Sequence, residues 1–277
     1  MRDQSEGSED TGRTAAGAGP ALLLAHGAGG GIEANFGPVL CRLAGAHRVI
    51  GVDYPGSGHV PRSETPLTLD QLAGRLVAAA DDEGIERFAV AGFSLGGPVA
   101  IRVAALYPDR VTALVLTATF ARPNARLSLA ADIWSEIFSS GDNRLLAEFL
   151  TLVALSDTAL DSHGPEELRA GIDALSDTVA PGTAEQTALV KQADVTADAQ
   201  RIAVPALVLA TVRDPLVSPE IQRQLHSLIP GARIAELESG HLPFLELPDR
   251  WADEVLAFLA ALPAAAKAAV TAPGAAL

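Results

Sequence analysis

The chain carries one cysteine, Cys41, among 277 residues, which excludes an internal disulfide and any zinc site built on paired cysteines. Lysine is nearly missing: two residues against eighteen arginines, beside abundant Ala, Gly and Pro, a composition expected of a G+C-rich bacterial genome. Aromatics make up only 4%, so the 48% hydrophobic content is largely aliphatic. Basic residues are outnumbered 20 to 34, and the net charge of −14 argues against a nucleic-acid partner, whose phosphates need a surplus of Lys and Arg. It also argues against an anionic membrane surface. No run of 18 apolar residues is present, so no transmembrane helix is expected. The first twenty residues have neither a basic leader nor an apolar stretch, which makes a cytoplasmic protein the expectation.

Length allows one large domain or two small ones. Short aliphatic runs alternate with longer stretches of helical periodicity, which predicts an α/β fold with a mostly parallel sheet. The runs 21–25, 48–52, 88–92, 113–117, 206–210 and 233–237 are continuously apolar for the most part, as strands covered by helices on both faces should be. Polar and small residues follow most of them, at the carboxyl ends of strands where open α/β sheets carry their sites. Residues 122–200 break the alternation, with helical patterns at 126–139, 143–155, 166–175 and 184–193 and no strand. By analogy with active-site lids, 122–200 is read as a helical cap over a core of 19–121 and 201–262; ordinary surface helices are the plainer alternative. Residues 1–18 and 263–277 lack an amphipathic pattern and are expected to be disordered tails.

Gly92-Phe93-Ser94-Leu95-Gly96 is a G-x-S-x-G sequence placed between an aliphatic run and a helical stretch. That is the strand–turn–helix context in which a serine hydroxyl is lifted clear of a sheet. Such a hydroxyl needs a base. His241, in the loop after 233–237, is the best placed of six histidines; His47, His59, His163 and His226 lie in helix or loop contexts without that placement. A carboxylate to orient the base is offered by Asp214 after 206–210, whereas the end of 113–117 continues Ala118-Thr119-Phe120 and offers no acid. The plainer readings are a turn serine, a buried loop histidine and a helix N-cap aspartate. Trp134, Ile137, Phe138, Phe149 and Val153 are candidates to line an apolar pocket or simply to pack the core. Trp251 is expected in the core and Cys41 as a small buried hydrophobe.

These motifs, in the order Ser94, Asp214, His241, resemble the α/β-hydrolase fold superfamily, in its cap-bearing branch of small esterases, C–C hydrolases and haloperoxidase-like enzymes. The likeness spans about 21–262. His26-Gly27-Ala28-Gly29-Gly30 resembles the family's His-Gly loop, and by that resemblance the backbone N–H groups of Ala28 and Leu95 form an oxyanion hole. Asp53-Tyr54-Pro55-Gly56-Ser57-Gly58 resembles a structural turn of the family. Phe36 stands near a position where many relatives have Trp, and Thr211-Val212-Arg213 where many have Gly before the acid. Glu33, Asn35 and Arg213 are candidates for polarity at the pocket mouth, with Glu33, Trp134 and Phe138 as candidate substrate contacts.

The expected activity is therefore cleavage of a small or medium apolar ester, thioester or lactone by a Ser94–His241–Asp214 triad, with no metal and no organic cofactor. The alternatives are perhydrolase, C–C bond, lyase or cyclase chemistry on the same site, or a ligand-binding receptor. A carrier-protein thioesterase would need Arg122, Arg126, Arg144 and Arg169 to form a local basic patch. The expected partner is a small-molecule substrate; the sequence leaves oligomeric state open.

Overall fold

The computed structural model describes residues 12–262. The amino-terminal half runs β1 (Arg13–Ala16), β2 (Ala21–Ala25), α1 (Ile32–Ala44), β3 (Arg48–Val52), α2 (Leu69–Asp82), β4 (Phe88–Phe93), α3 (Gly96–Leu106) and β5 (Val111–Thr117). Six helices follow without a strand: α4 (Ala125–Ser140), α5 (Asn143–Ala154), α6 (Asp157–Ser162), α7 (Pro165–Asp177), α8 (Thr183–Gln192) and α9 (Thr196–Ala199). The chain then completes the sheet with β6 (Ala206–Thr211), α10 (Pro219–Leu228), β7 (Arg233–Leu237), α11 (Pro243–Glu246) and α12 (Pro248–Ala260). The strands form one sheet in the order β1-β3-β2-β4-β5-β6-β7. All pairs are parallel except β1 with β3.

Successive strand side chains point to opposite faces, so each aliphatic run feeds two cores. Leu23, Val90, Leu114, Leu116 and Val208 meet the buried residues of α2, α3 and α10 on one face. Leu22, Leu24, Ala91, Val115 and Leu209 meet α1 and α12 on the other. On that second face Trp251 lies fully buried, 4.8 Å edge-on to Phe244, and donates its indole N–H to Thr117 Oγ1 at 3.0 Å.

Two expectations are corrected. The amino-terminal stretch expected to be unstructured through residue 18 contributes β1, which pairs antiparallel with the open edge of β3. Arg-Thr-Ala-Ala is too short and too polar to leave a periodic signal, yet it satisfies the edge hydrogen bonds of β3 and carries Arg13 to Glu83 at 2.5 Å. Residues 1–11 and 263–277, the rest of the two expected tails, lie outside the described residues. Cys41 is exposed rather than buried, because the buried stripe of α1 is Ile32, Asn35, Phe36, Val39 and Leu43, which leaves Cys41 on the opposite side. The short helices α6 and α9 were not legible as periodic segments.

The helices between β5 and β6 pack mainly on one another, α4 with α8 and α5 with α7. Among the described residues no helix is long and apolar enough to cross a membrane.

Trp251→Ala is expected to lower unfolding stability by about 3–5 kcal/mol, since a large buried ring leaves a cavity. Trp251→Phe, which keeps most of the volume but strips Thr117 of its donor, should cost about 1–3 kcal/mol. Urea midpoints of the two variants against wild type check the order.

Candidate active site

Ser94 joins β4 to α3 with φ +51°, one of two positive-φ residues other than glycine among the described residues. Such a conformation costs a non-glycine residue on the order of 1–3 kcal/mol and must be held by its surroundings. Here Ser94 N–H donates to the Thr117 carbonyl (3.1 Å), and the Ser94 carbonyl accepts from Gly97 N–H (2.9 Å) and Thr119 Oγ1 (2.6 Å). The turn also needs space. A Cβ on Gly96 would run into the Ala25 carbonyl, and one on Gly92 into the Gly96 carbonyl. Thr119 follows Ala118, the other positive-φ residue (φ +48°), whose N–H donates to the Leu209 carbonyl at 3.1 Å. The end of β5 thus carries no acid and instead braces the serine turn.

Loops after β6 and β7 bring a base and a carboxylate to that turn. His241 Nε2 lies 3.0 Å from Ser94 Oγ, and its Nδ1 lies 2.8 Å from Asp214 Oδ2. All three are buried, at 8%, 5% and 4% exposure for Ser94, His241 and Asp214. Asp214 Oδ1 accepts from the N–H groups of Leu216 (2.9 Å) and Val217 (2.8 Å), while Oδ2 also accepts from Thr211 Oγ1 (2.9 Å). A carboxylate so surrounded by donors accepts from His241 Nδ1–H, which leaves Nε2 bare to take the serine proton. Thr211 is itself held by buried Gln222, whose Oε1 accepts from Thr211 N–H (3.0 Å) and whose Nε2 donates to Thr211 Oγ1 (3.0 Å). Thr211 thus hydrogen-bonds the candidate acid directly, three residues ahead of it.

The His241 loop is clamped from the helical insertion. His241 N–H donates to the Ala154 carbonyl at 2.6 Å. Glu246 accepts from Gly240 N–H (3.1 Å) and from Ser156 N–H and Oγ (3.0 and 2.6 Å). A Cβ on Gly240 would run into Ser156 N, so the position must be glycine.

The loop after β2 faces Ser94 from the other side. Its Ala28 N–H, like that of Leu95, donates to no acceptor among the described residues. Buried His26 accepts from Tyr54 N–H at Nε2 (2.9 Å), so Nδ1 carries the proton and donates to the Gly27 carbonyl (2.7 Å). Across a planar trans peptide, that bond turns Ala28 N–H to the opposite side. Gly27 N–H donates to Asn35 Oδ1 at 2.9 Å, and Gly29 N–H to Gln186 Oε1 at 2.8 Å. Asp53 Oδ1 accepts from Ile32 N–H at 2.7 Å, at the start of α1.

A cavity of about 580 Å³ opens over Ser94 and His241, walled by α4, α5 and α7 through residues such as Trp134, Val153 and Ile172. Of the candidate pocket residues, Trp134, Val153 and Asn35 line it; Glu33, Phe138, Ile137, Phe149 and Arg213 do not. Glu33 is exposed beside Gly37, Phe138 lies one helical turn beyond Trp134, and Arg213 pairs outward with Glu238 at 2.9 Å. Of the four arginines a basic docking patch would need, Arg144 is paired with Asp173 and Glu148, and Arg126 donates to the Pro215 carbonyl. Sequence reasoning missed Thr119, Thr211, Gln186 and Glu246 as parts of the site. Asn35 shows the one available signal, a polar residue on the apolar stripe of an amphipathic helix.

A model of the family described as alpha/beta hydrolase fold matches residues 20–248. The chain is 31% identical over 237 residues to pyrrolizixenacetamide deacetylase of Xenorhabdus hominickii, covering 85% of this chain and 89% of that one. It is 32% identical over 259 residues to a pimeloyl-acyl-carrier-protein methyl ester esterase of Stenotrophomonas maltophilia, covering 89% and 95%. Among solved structures, an enol-lactonase from Burkholderia xenovorans superposes with a TM-score of 0.81 at 26% identity, over 90% of this chain and 95% of that one.

Burial lowers the His26 pKa from the usual 6.5 to about 4. The unfolded chain therefore binds a proton between pH 6.5 and 4 that the folded chain does not, so stability is intact above 6.5 and falls as pH drops through that window. The loss expected by pH 4 is about 3 kcal/mol from this residue. Urea midpoints measured from pH 7 to 4 check the fall, and NMR of the ring should keep the neutral Nδ1–H form to near pH 4.

Proposed function

The chain belongs to the α/β-hydrolase fold family, and from that premise we propose a serine hydrolase that opens a small or medium, largely apolar ester, thioester or lactone through an acyl-enzyme on Ser94. The observation that carries this reading is the unbroken hydrogen-bond chain from Ser94 Oγ through His241 to Asp214 at the floor of an apolar cavity. Residues 122–200 are read as a cap, since α4, α5 and α7 supply the cavity walls opposite the sheet.

Ser94 Oγ bonds the carbonyl carbon while its proton passes to His241 Nε2, and the carbonyl π pair moves onto oxygen. Asp214 stabilises the imidazolium and stays ionised. The N–H groups of Ala28 and Leu95, which find no acceptor among the described residues, receive the oxyanion, each worth about 3 kcal/mol of barrier. Collapse expels the alcohol or thiol oxygen or sulfur, which takes the proton back from His241. Water then repeats the sequence on the acyl-enzyme, giving a carboxylic acid and free Ser94. The relatives named as a deacetylase, a methyl ester esterase and an enol-lactonase favour such hydrolysis over C–C cleavage, lyase chemistry or mere binding.

Intact-mass measurement after treatment with a fluorophosphonate should show one adduct on wild type and none on Ser94→Ala; a folded wild type that takes no adduct would overturn the reading. Asp214→Asn should lower kcat on p-nitrophenyl butyrate by about 10³–10⁴-fold, because an amide cannot hold the productive tautomer of His241. Steady-state kinetics at pH 7.5 check this.

A further inference from the structure

We infer that Gln186 is a positioning residue for the oxyanion-binding loop, acting from the helical insertion on the peptide next to the Ala28 N–H. The inference rests on the acyl-transfer reading of Ser94 and names a part of that machinery that lies outside the core fold.

Gln186 is fully buried in α8, and both ends of its carboxamide are engaged. Oε1 accepts from Gly29 N–H at 2.8 Å; Nε2 donates to Ser57 Oγ at 2.9 Å and to the Pro55 carbonyl at 3.2 Å. These partners leave one orientation for the amide, because Gly29 offers a donor and Pro55 an acceptor. The backbone beneath it is fixed as well. Gly182 N–H donates to the Gly56 carbonyl at 2.9 Å, and the two glycines meet so closely that a Cβ on Gly56 would run into the Gly182 backbone. The Gln186 side chain thus starts from a docked helix end and reaches the loop without slack.

The loop needs that hold on this side in particular. Ala28 sits between two peptide planes. The first, Gly27–Ala28, is set by His26 through the Gly27 carbonyl. The second, Ala28–Gly29, ends in a residue at φ +69°, where glycine leaves the plane free to rotate, and among the described residues its N–H is held by Gln186 alone. An oxyanion donor is useful only if it is already aimed where charge develops. The His26 bond sets which way the Gly27–Ala28 plane faces, and the Gln186 bond pins the chain just past it, so releasing Gly29 lets the loop at Ala28 shift relative to Ser94 and moves its N–H off the oxyanion position while leaving the apolar walls that bind the ground state in place.

The test compares wild type, Gln186→Met, Gln186→Glu and Ser57→Ala on p-nitrophenyl butyrate, with an alkyl trifluoromethyl ketone as tetrahedral analogue and with thermal midpoints. Gln186→Met should lower kcat about 10–100-fold with KM within about twofold, and weaken the analogue by the same factor. Gln186→Glu retains the acceptor for Gly29 and should keep kcat within about threefold. Ser57→Ala removes a bond on the far side of the same carboxamide, and should lower the melting point without the kcat loss. Wild-type kcat and analogue affinity in Gln186→Met, or equal kcat losses in Gln186→Met and Ser57→Ala, would overturn the inference by making Gln186 a mere staple of the insertion. If Gln186→Met is not recovered folded, Gln186→Asn, one methylene too short to span Gly29 and Ser57, replaces it under the same criteria. Absence of turnover and of phosphonate labelling in wild type would instead sink the acyl-transfer reading, and this inference with it.

Discussion

The left-handed backbone at Ser94 is the constraint around which the neighbouring structure is arranged. A serine there is strained, so its backbone groups are tied to Thr117, Gly97 and Thr119, all on or beside the flanking elements. Because α3 must begin almost against β2, Gly96 can carry no side chain, and Gly97 is confined by Thr119 in the same way. The close approach leaves Leu95 N–H at the helix start with no acceptor among the described residues, beside the hydroxyl that the turn lifts out. One strained residue thus accounts for the glycines around it, for the positive φ at Ala118 that delivers Thr119, and for a free donor at the proposed reaction centre.

A serine fixed so firmly obliges the other groups to come to it. Asp214 and His241 arrive on loops that the fold alone leaves loosely defined, and each loop is therefore tied down at several points. Asp214 is surrounded by two backbone donors and the Thr211 hydroxyl. His241 is reached from the helical insertion, through the Ala154 carbonyl and the Glu246–Ser156 pair. The insertion contacts the opposite loop as well, at Gly29. It is bonded to both loops that flank Ser94, so its α5–α6 junction and α8 are parts of the site's framework. Between those anchored points α6 and α7 have little burial, with Ile172 their one buried residue.

Much of this was legible because it is local. Continuous aliphatic runs mark strands sandwiched by helices, and the G-x-S-x-G turn, the early His-Gly loop, Asp214 and His241 each sit one short step past such a run. The residues that were not legible act across long sequence separations. Gln186 meets Gly29 from 157 positions away, and Glu246 meets Ser156 from 90. Neither belongs to a motif, and α8 has no clean apolar stripe against which a buried glutamine would stand out. β1 escaped because an edge strand is defined by its partner's open hydrogen bonds rather than by its own side chains. The choice among aromatic candidates failed for a related reason. Trp134 and Phe138 share a helix and a hydrophobic character, and only the crossing of α4 over Gly29 selects the first.

The division of labour between core and insertion bears on what the site can discriminate. The groups assigned to bond rearrangement all come from strand ends, and they would treat any acyl carbon alike. Most of the walls come from α4, α5 and α7, with Ala34 and Asn35 of α1 and Leu216, Leu242 and Leu245 of the core completing them. In α7 the lining residues Leu168, Ile172 and Leu175 recur at helical spacing, which is the apolar face of an amphipathic helix turned toward an open cavity rather than into a packed core. Such a face loses part of the burial that normally stabilises a helix, and an apolar acyl group lying along it would restore that burial. In the proposed reaction an acyl group bound there would also exclude water from the floor of the cavity, where the lower dielectric would strengthen the pull of the two N–H donors on a developing oxyanion. Under the proposed acyl transfer, chain length and shape would be read largely by the insertion, while the rate would depend on how rigidly the same insertion holds the loops around Ser94.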